Sequence, residues 1–129
     1  MSATILLVED NEQNRYLATF LLEQHGFRVV SARDGHRAIE SVRAFVPDLV
    51  LLDIQLPAMS GYAVALELRR IEALAATPII AVTSHAMVGD REKALAAGCN
   101  GYIEKPINPE TFVAEISGFI VPPARGVEP

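Results

Sequence analysis

The 129-residue chain has one cysteine, no tryptophan and no basic run longer than Arg69-Arg70. The lone Cys99 cannot close an internal disulfide, which fits a reducing compartment and reads as a small buried hydrophobe. Net charge is −5, from 11 Lys and Arg against 16 Asp and Glu, so direct nucleic-acid binding is not expected. The longest apolar stretches are far too short to span a bilayer, and no basic-then-apolar leader precedes the first of them. A cytoplasmic chain with no membrane contact is the expectation. No glycine-rich phosphate loop follows the first apolar run. Glu9-Asp10-Asn11-Glu12 stands there instead and would repel phosphates without a metal, which weighs against a nucleotide or flavin binder.

What the chain does have is a core. Half of its residues (50%) are hydrophobic and the mean hydropathy is +0.25, enough for one well-buried domain. The apolar residues come in runs: Ile5-Leu6-Leu7-Val8, Leu49-Val50-Leu51-Leu52, Ile79-Ile80-Ala81-Val82 and a shorter one around Tyr102-Ile103. Such runs, alternating with helix-like stretches, read as strands buried on both faces of a parallel sheet. A strand at 27–32 alternates more and is expected at an edge.

Helices are expected over about 12–25, from Asp34 until Pro47, from Gly61 to before Thr77-Pro78, over 88–97, and after Asn108-Pro109. The first carries Tyr16, Leu17, Phe20 and Leu21 on one face, and Gly26 ends it. The second buries Ala38, Ile39 and Val42, and the third turns Val64, Leu68 and Ile71 inward. The fourth has few large apolar residues and an internal glycine, so it is the most weakly held. The fifth opens on Asn108 as cap and carries a stripe of Phe112, Val113, Ile116, Phe119 and Ile120. Right-handed crossovers then give an α/β fold: a doubly wound, flavodoxin-like, five-stranded parallel sheet of order 2-1-3-4-5 with five helices.

In that order the first and third strands are neighbours, and a site is expected where they end. Glu9 and Asp10 follow the first strand and Asp53 closes the third. Thr83 ends the fourth, and Lys105 follows the fifth. Crowded carboxylates repel unless a cation joins them, and oxygen ligands without a His or Cys cluster favour Mg2+. A carboxylate can attack phosphorus to give an aspartyl phosphate, and Asp53 is placed to do so. Lys105 would neutralise charge on the transferred group, and the Thr83 hydroxyl could donate to one of its oxygens. Taken singly, each of these residues is as readily a turn residue or a solvated charge. Their recurrence on four strand ends carries the reading.

These residues match a known pattern. Val8-Glu9-Asp10-Asn11, Asp53-Ile54-Gln55-Leu56-Pro57-Ala58-Met59-Ser60-Gly61, Ala81-Val82-Thr83-Ser84, Gly98-Cys99-Asn100-Gly101-Tyr102 and Lys105-Pro106 together resemble the response-regulator receiver domains over nearly the whole chain. Within them the sequence looks most like stand-alone receivers of the cell-division and polarity type. The resemblance implies that Asp53 accepts a phosphoryl group from a histidine kinase or histidine phosphotransfer protein. It implies that Asp10, Asp53 and the backbone carbonyl of Gln55 bind Mg2+, with Glu9 joining through water. Thr83, Lys105 and Tyr102 become the phosphate-contacting and switch residues, and Lys105-Pro106 a cis peptide. Glu9 stands where many members carry a second Asp. Gln55 and His85 would lie beside the phosphoryl group and tune its lifetime, the alternative for His85 being an exposed loop residue.

The expected organisation is a receiver domain over residues 1–121 with a disordered tail at 122–129 and no output domain. A receiver excised from a hybrid kinase or multidomain regulator would look the same. Phosphorylation would act through the face of the fourth helix, fifth strand and fifth helix on a downstream protein effector, the chain being a monomer or a phosphorylation-dependent dimer. An aspartyl phosphatase of the haloacid-dehalogenase type is the enzyme alternative. That chemistry needs an acid-base Asp two residues after Asp53, where Gln55 cannot transfer a proton. The expectation is a signalling switch, not an enzyme.

Overall fold

A computed structural model describes residues 3–84 and 89–120. The elements are β1 (Thr4–Val8), α1 (Glu12–Gln24), β2 (Arg28–Ala32), α2 (Gly35–Ser41) and β3 (Leu49–Asp53), then α3 (Gly61–Arg69), β4 (Ile79–Thr83), α4 (Asp90–Ala96), β5 (Gly101–Glu104) and α5 (Phe112–Ser117). All pairings are parallel and the order is β2-β1-β3-β4-β5, as the crossover argument requires. β2 is an edge strand. The expected cis peptide is present at Lys105-Pro106.

Successive strand residues feed opposite layers, because side chains alternate along a strand. Leu6, Val8, Val50, Leu52, Ile79 and Ala81 pack against Ala38 of α2, Val64 and Leu68 of α3 and Ala94 of α4. Ile5, Leu7, Leu49, Leu51, Ile80 and Val82 pack against Leu21 and Leu22 of α1 and Phe112 and Ile116 of α5. β3 and β4 are buried at every position. Each such Leu, Ile or Val contributes about 1.5–3 kcal/mol, so the central strands are the anchor on which the site rests.

The helices depart from the sequence expectation. Tyr16, Leu17 and Phe20 do not face the core: Tyr16 is 73% exposed and Phe20 48%, and the two rings stack on each other at 6.5 Å. Ala18, Leu21 and Leu22 face inward instead, the small Ala18 letting α1 lie close on the sheet. α2 stops at Ser41, well before Pro47, because the backbone tightens into i→i−3 bonds at Arg43 and Ala44. α3 stops at Arg69, and Glu72–Leu74 form a separate 3-10 turn whose Leu74 is buried. Ile71 falls between the two and is only partly buried.

Gly89 is not internal to α4. It is the residue before the helix, in the left-handed region at φ 92°, and the expected first residue, Val88, lies outside the described residues. Within α4 only Ala94 is buried, in keeping with a sparsely anchored helix. α5 begins at Phe112, later than expected. Asn108 caps the preceding turn instead, its Oδ1 accepting from Glu110 N at 2.9 Å while its carbonyl accepts from Phe112 N. Tail residues 122–129 lie outside the described residues.

Opposite the site edge, Arg69 ties three connections together. Its guanidinium donates to the carbonyls of Gly98 (2.8 Å), Leu74 (2.8 Å) and Thr77 (2.7 Å), and to Asn100 Oδ1, which also accepts from Ile79 N at 2.9 Å. Gly98 sits at φ 101°, and a Cβ there would come within 2.6 Å of Arg69 Cγ. Arg69→Ala strands these partly buried acceptors and is expected to lower unfolding free energy by about 2–3 kcal/mol in urea titration. Arg69→Lys, which lacks the planar fork, should recover less than half of that loss.

Candidate functional site

The site is made by where strands stop. β1 delivers Glu9 and Asp10, with the Glu9 N–H still donating to Ala32 O at 3.0 Å, so the acidic pair begins as an extension of the ladder. β3 ends on Asp53, and the Ile54 N–H continues the pairing to Val82 O at 3.0 Å. β4 ends on Thr83, whose carbonyl accepts from Lys105 N at 2.8 Å. Parallel pairing with this register puts Asp53 opposite Val82, and Thr83 opposite Glu104.

Glu9 (4% exposed) and Asp53 (3% exposed) are buried carboxylates, whereas Asp10 is open to solvent. One oxygen from each of Glu9, Asp10 and Asp53 lies within 4.8 Å of the others. The Lys105 ammonium sits between the buried two, 2.9 Å from Glu9 Oε1 and 3.2 Å from Asp53 Oδ2. Asp53 Oδ1 accepts from the Gln55 N–H at 2.9 Å, and Glu9 Oε2 from the Asn11 N–H at 3.1 Å.

Burial is the largest influence on the Asp53 carboxyl, raising its pKa from 3.8 to about 6, and the hydrogen bond and charge of Glu9 push the same way. The Gln55 N–H and Lys105 pull it back. Burial works against the Lys105 ammonium, but hydrogen bonds and charge from Glu9 and Asp53 overcome it and raise its pKa. The cluster is thus short of positive charge. Three carboxylates share one ammonium, and hard oxygen donors in that geometry fit Mg2+ better than a thiolate- or imidazole-seeking metal.

Two further features hold this edge. Arg15, one turn into α1, donates to the carbonyls of Glu9 (2.9 Å) and Asp10 (3.4 Å) and so fixes the acidic pair from behind. Gly61 lies against the end of β3, where a Cβ would meet Asp53 O at 2.5 Å and Ile54 Cα at 2.6 Å, and its N–H donates to Ile54 O at 3.0 Å. Between them, Met59 N donates to Pro57 O at 2.6 Å across Ala58, which is held at φ 67° in a tight γ-turn. Sequence reasoning assigned no role to Arg15, since one arginine in a first helical turn carries no signal of its own. Gly61 entered only as part of a motif.

The remaining expected residues divide. Gln55 approaches Thr83 and Ser84 by its side chain: Nε2 donates to Thr83 Oγ1 at 2.6 Å, and Oε1 accepts from the Ser84 N–H and hydroxyl at 3.2 Å each. Tyr102 does not reach the carboxylates. It packs against the α2–α3–α4 layer, and its hydroxyl is buried without a hydrogen-bond partner among the described residues. Burial raises the pKa of that hydroxyl, with Asp90 and Glu104 adding to the effect. His85 lies outside the described residues.

A buried carboxylate flanked by an acid pair and an ammonium can carry a phosphoryl group, which is the arrangement of the receivers of two-component signalling. The chain belongs to the response regulator receiver domain family, which it matches over residues 5–117. It is 41% identical over 120 residues to the polar-differentiation response regulator DivK of Brucella ovis, covering 93% of this chain and 98% of that one. The receiver domain of a sensor histidine kinase from Pseudomonas aeruginosa, solved with magnesium in its active-site cleft, superposes with TM-score 0.85 at 36% identity (92% and 98% coverage). The Vibrio cholerae chemotaxis protein CheY4 superposes with TM-score 0.89 at 26% identity (93% and 100% coverage). The protein is a DivK-like receiver and signalling switch, of a family in which aspartyl phosphorylation with Mg2+ is general. Among the described residues no helix is long and apolar enough to cross a membrane.

The Asp53 shift has a measurable consequence in chelated protein. Its folded pKa lies above the unfolded one, so between pH 3.8 and about 6 the folded state binds more protons and loses stability as pH rises. Metal-free Asp53→Asn is therefore expected to be more stable than wild type at pH 7.5, by about 1–2 kcal/mol, with the gap closing as pH falls towards 3.8. Paired urea titrations in chelator would show it, and a gap independent of pH would contradict the burial argument.

Proposed function

We propose that Asp53 is the phosphoacceptor of this receiver, taking its phosphoryl group from a histidine kinase or histidine phosphotransfer protein. The observation that carries the reading is the placement of a nearly fully buried carboxylate against Lys105, Glu9 and Asp10 at the switch point of the sheet. An Asp53 oxygen attacks phosphorus, and the bond from phosphorus to the donor nitrogen breaks, leaving a neutral imidazole after protonation. Bound at Asp10, Asp53 and the Gln55 carbonyl, with Glu9 reached through water, Mg2+ would supply charge neutralisation for the transferred oxygens.

The chain's own residues do the rest. The Gln55 N–H holds one Asp53 oxygen and so sets the orientation of the carboxylate. Lys105 is already within 3.2 Å of the other and can follow charge onto the phosphoryl group. Thr83 ends the neighbouring strand and can donate its hydroxyl to a phosphoryl oxygen. Gln55 would shape the approach of hydrolytic water, a role shared in the sequence reading by His85, which lies outside the described residues. The haloacid-dehalogenase alternative lacks its acid-base group, since Gln55 is an amide committed to Thr83 and Ser84.

Thr83 moving towards the phosphoryl group would free space for Tyr102 to rotate. The buried, unpartnered Tyr102 hydroxyl supports this, because any rotamer that reaches water or an acceptor relieves its desolvation. α4, with Ala94 alone in the core, β5 and α5 would then present a changed face to a protein effector. Incubation with Mg2+ and acetyl phosphate should add one phosphoryl group by intact-protein mass spectrometry. The adduct should be absent with chelator and in Asp53→Asn, and no adduct under any condition would overturn the reading. Tyr102→Ala should keep the adduct while weakening effector binding about tenfold or more, the loss of roughly 1.4 kcal/mol of coupling.

A further inference from the structure

Gln55 occupies an unusual position in this edge. Its backbone N–H is bonded to the Asp53 carboxylate at 2.9 Å, and its side chain to the end of β4. Both ends of the amide are used: Nε2 on Thr83 Oγ1 at 2.6 Å, and Oε1 on the N–H and hydroxyl of Ser84 at 3.2 Å. The register explains the reach. Asp53 pairs with Val82 at the end of the ladder, so just past the two strand ends Gln55 comes close to Ser84, next to Thr83.

We propose that the Gln55 side chain is a latch that holds the end of β4 in its resting position and so sets how strongly the receiver resists activation. The inference rests on the reading of Thr83 as the residue that moves. A hydroxyl offers one donor and two acceptor sites, and Gln55 takes an acceptor site, so it does not consume the hydrogen that Thr83 would give to a phosphoryl oxygen. What it restrains is position. If Thr83 moves and Gln55 stays, the 2.6 Å bond is lost; if Gln55 follows, its two bonds to Ser84 are lost. Either way the resting state holds contacts that the activated state gives up, and only such a difference biases a two-state equilibrium.

The role is one of positioning, distinct from any effect of Gln55 on hydrolytic water, because it appears before a phosphoryl group is hydrolysed. Beryllofluoride with Mg2+, a non-hydrolysing mimic of the phosphoryl group, is the probe, and amide shifts in two-dimensional NMR are the readout. Gln55→Met keeps the side-chain length and backbone N–H and removes both hydrogen-bonding ends. At saturating Mg2+ it should lower the beryllofluoride midpoint on the order of fivefold, the equivalent of about one neutral hydrogen bond. On a Thr83→Ala background the same substitution should shift the midpoint less than twofold, because the main bond is already gone. A midpoint that stays or rises in Gln55→Met, or falls equally on both backgrounds, would overturn the latch while leaving the receiver reading standing. A wild-type protein with no response to beryllofluoride would overturn both.

Discussion

One ammonium between two buried carboxylates is the interaction on which this molecule depends. Glu9 and Asp53 are almost wholly withdrawn from water, and two such charges would not stay ionised side by side without Lys105. The three residues come from different strands, so their meeting requires β1, β3 and β5 to run parallel and to end at one level. With Asp10 beside them, the arrangement also leaves the edge short of positive charge. An apolar sheet core is thereby coupled to a site that gains from any further cation or from a proton. Stability and ligand binding draw on the same residues.

The strands were legible from sequence because burial on both faces writes itself as continuous Leu, Ile and Val, and the order followed from handedness. The candidate site residues stand out beside these runs: Glu9, Asp53 and Thr83 are each the first polar residue after one, and Asp10 and Lys105 the second. Helix ends were harder. α2 ends through i→i−3 tightening and α3 gives way to a separate turn at Glu72–Leu74, events governed by tertiary contacts and not by Pro47 or Pro78. The inward face of α1 was misread because Tyr16, Leu17 and Phe20 outweigh Ala18 in hydrophobicity, while close approach to the sheet favours the smaller residue.

Contacts between side chains two strands' ends apart were beyond sequence reasoning. That Gln55 spans from the loop after Asp53 to Thr83 and Ser84 depends on the β3–β4 register and on the rotamer of a flexible side chain. Arg15 and Arg69 belong with it. Both work by donating to backbone carbonyls, acceptors that every residue offers and that no motif marks. Gly61 is the exception, since a Cβ there would collide with the Asp53 carbonyl, and only glycine lets α3 start so close to the site.

The buried Tyr102 hydroxyl has an optical side. With no tryptophan in the chain, near-ultraviolet absorption belongs to three tyrosines and five phenylalanines. Tyr16 is mostly solvated and Tyr62 partly so, which leaves Tyr102 as the phenol whose hydroxyl is buried without a hydrogen-bond partner among the described residues. A phenol whose surroundings change in polarity changes its band position, so label-free difference spectroscopy can follow the Tyr102 hydroxyl.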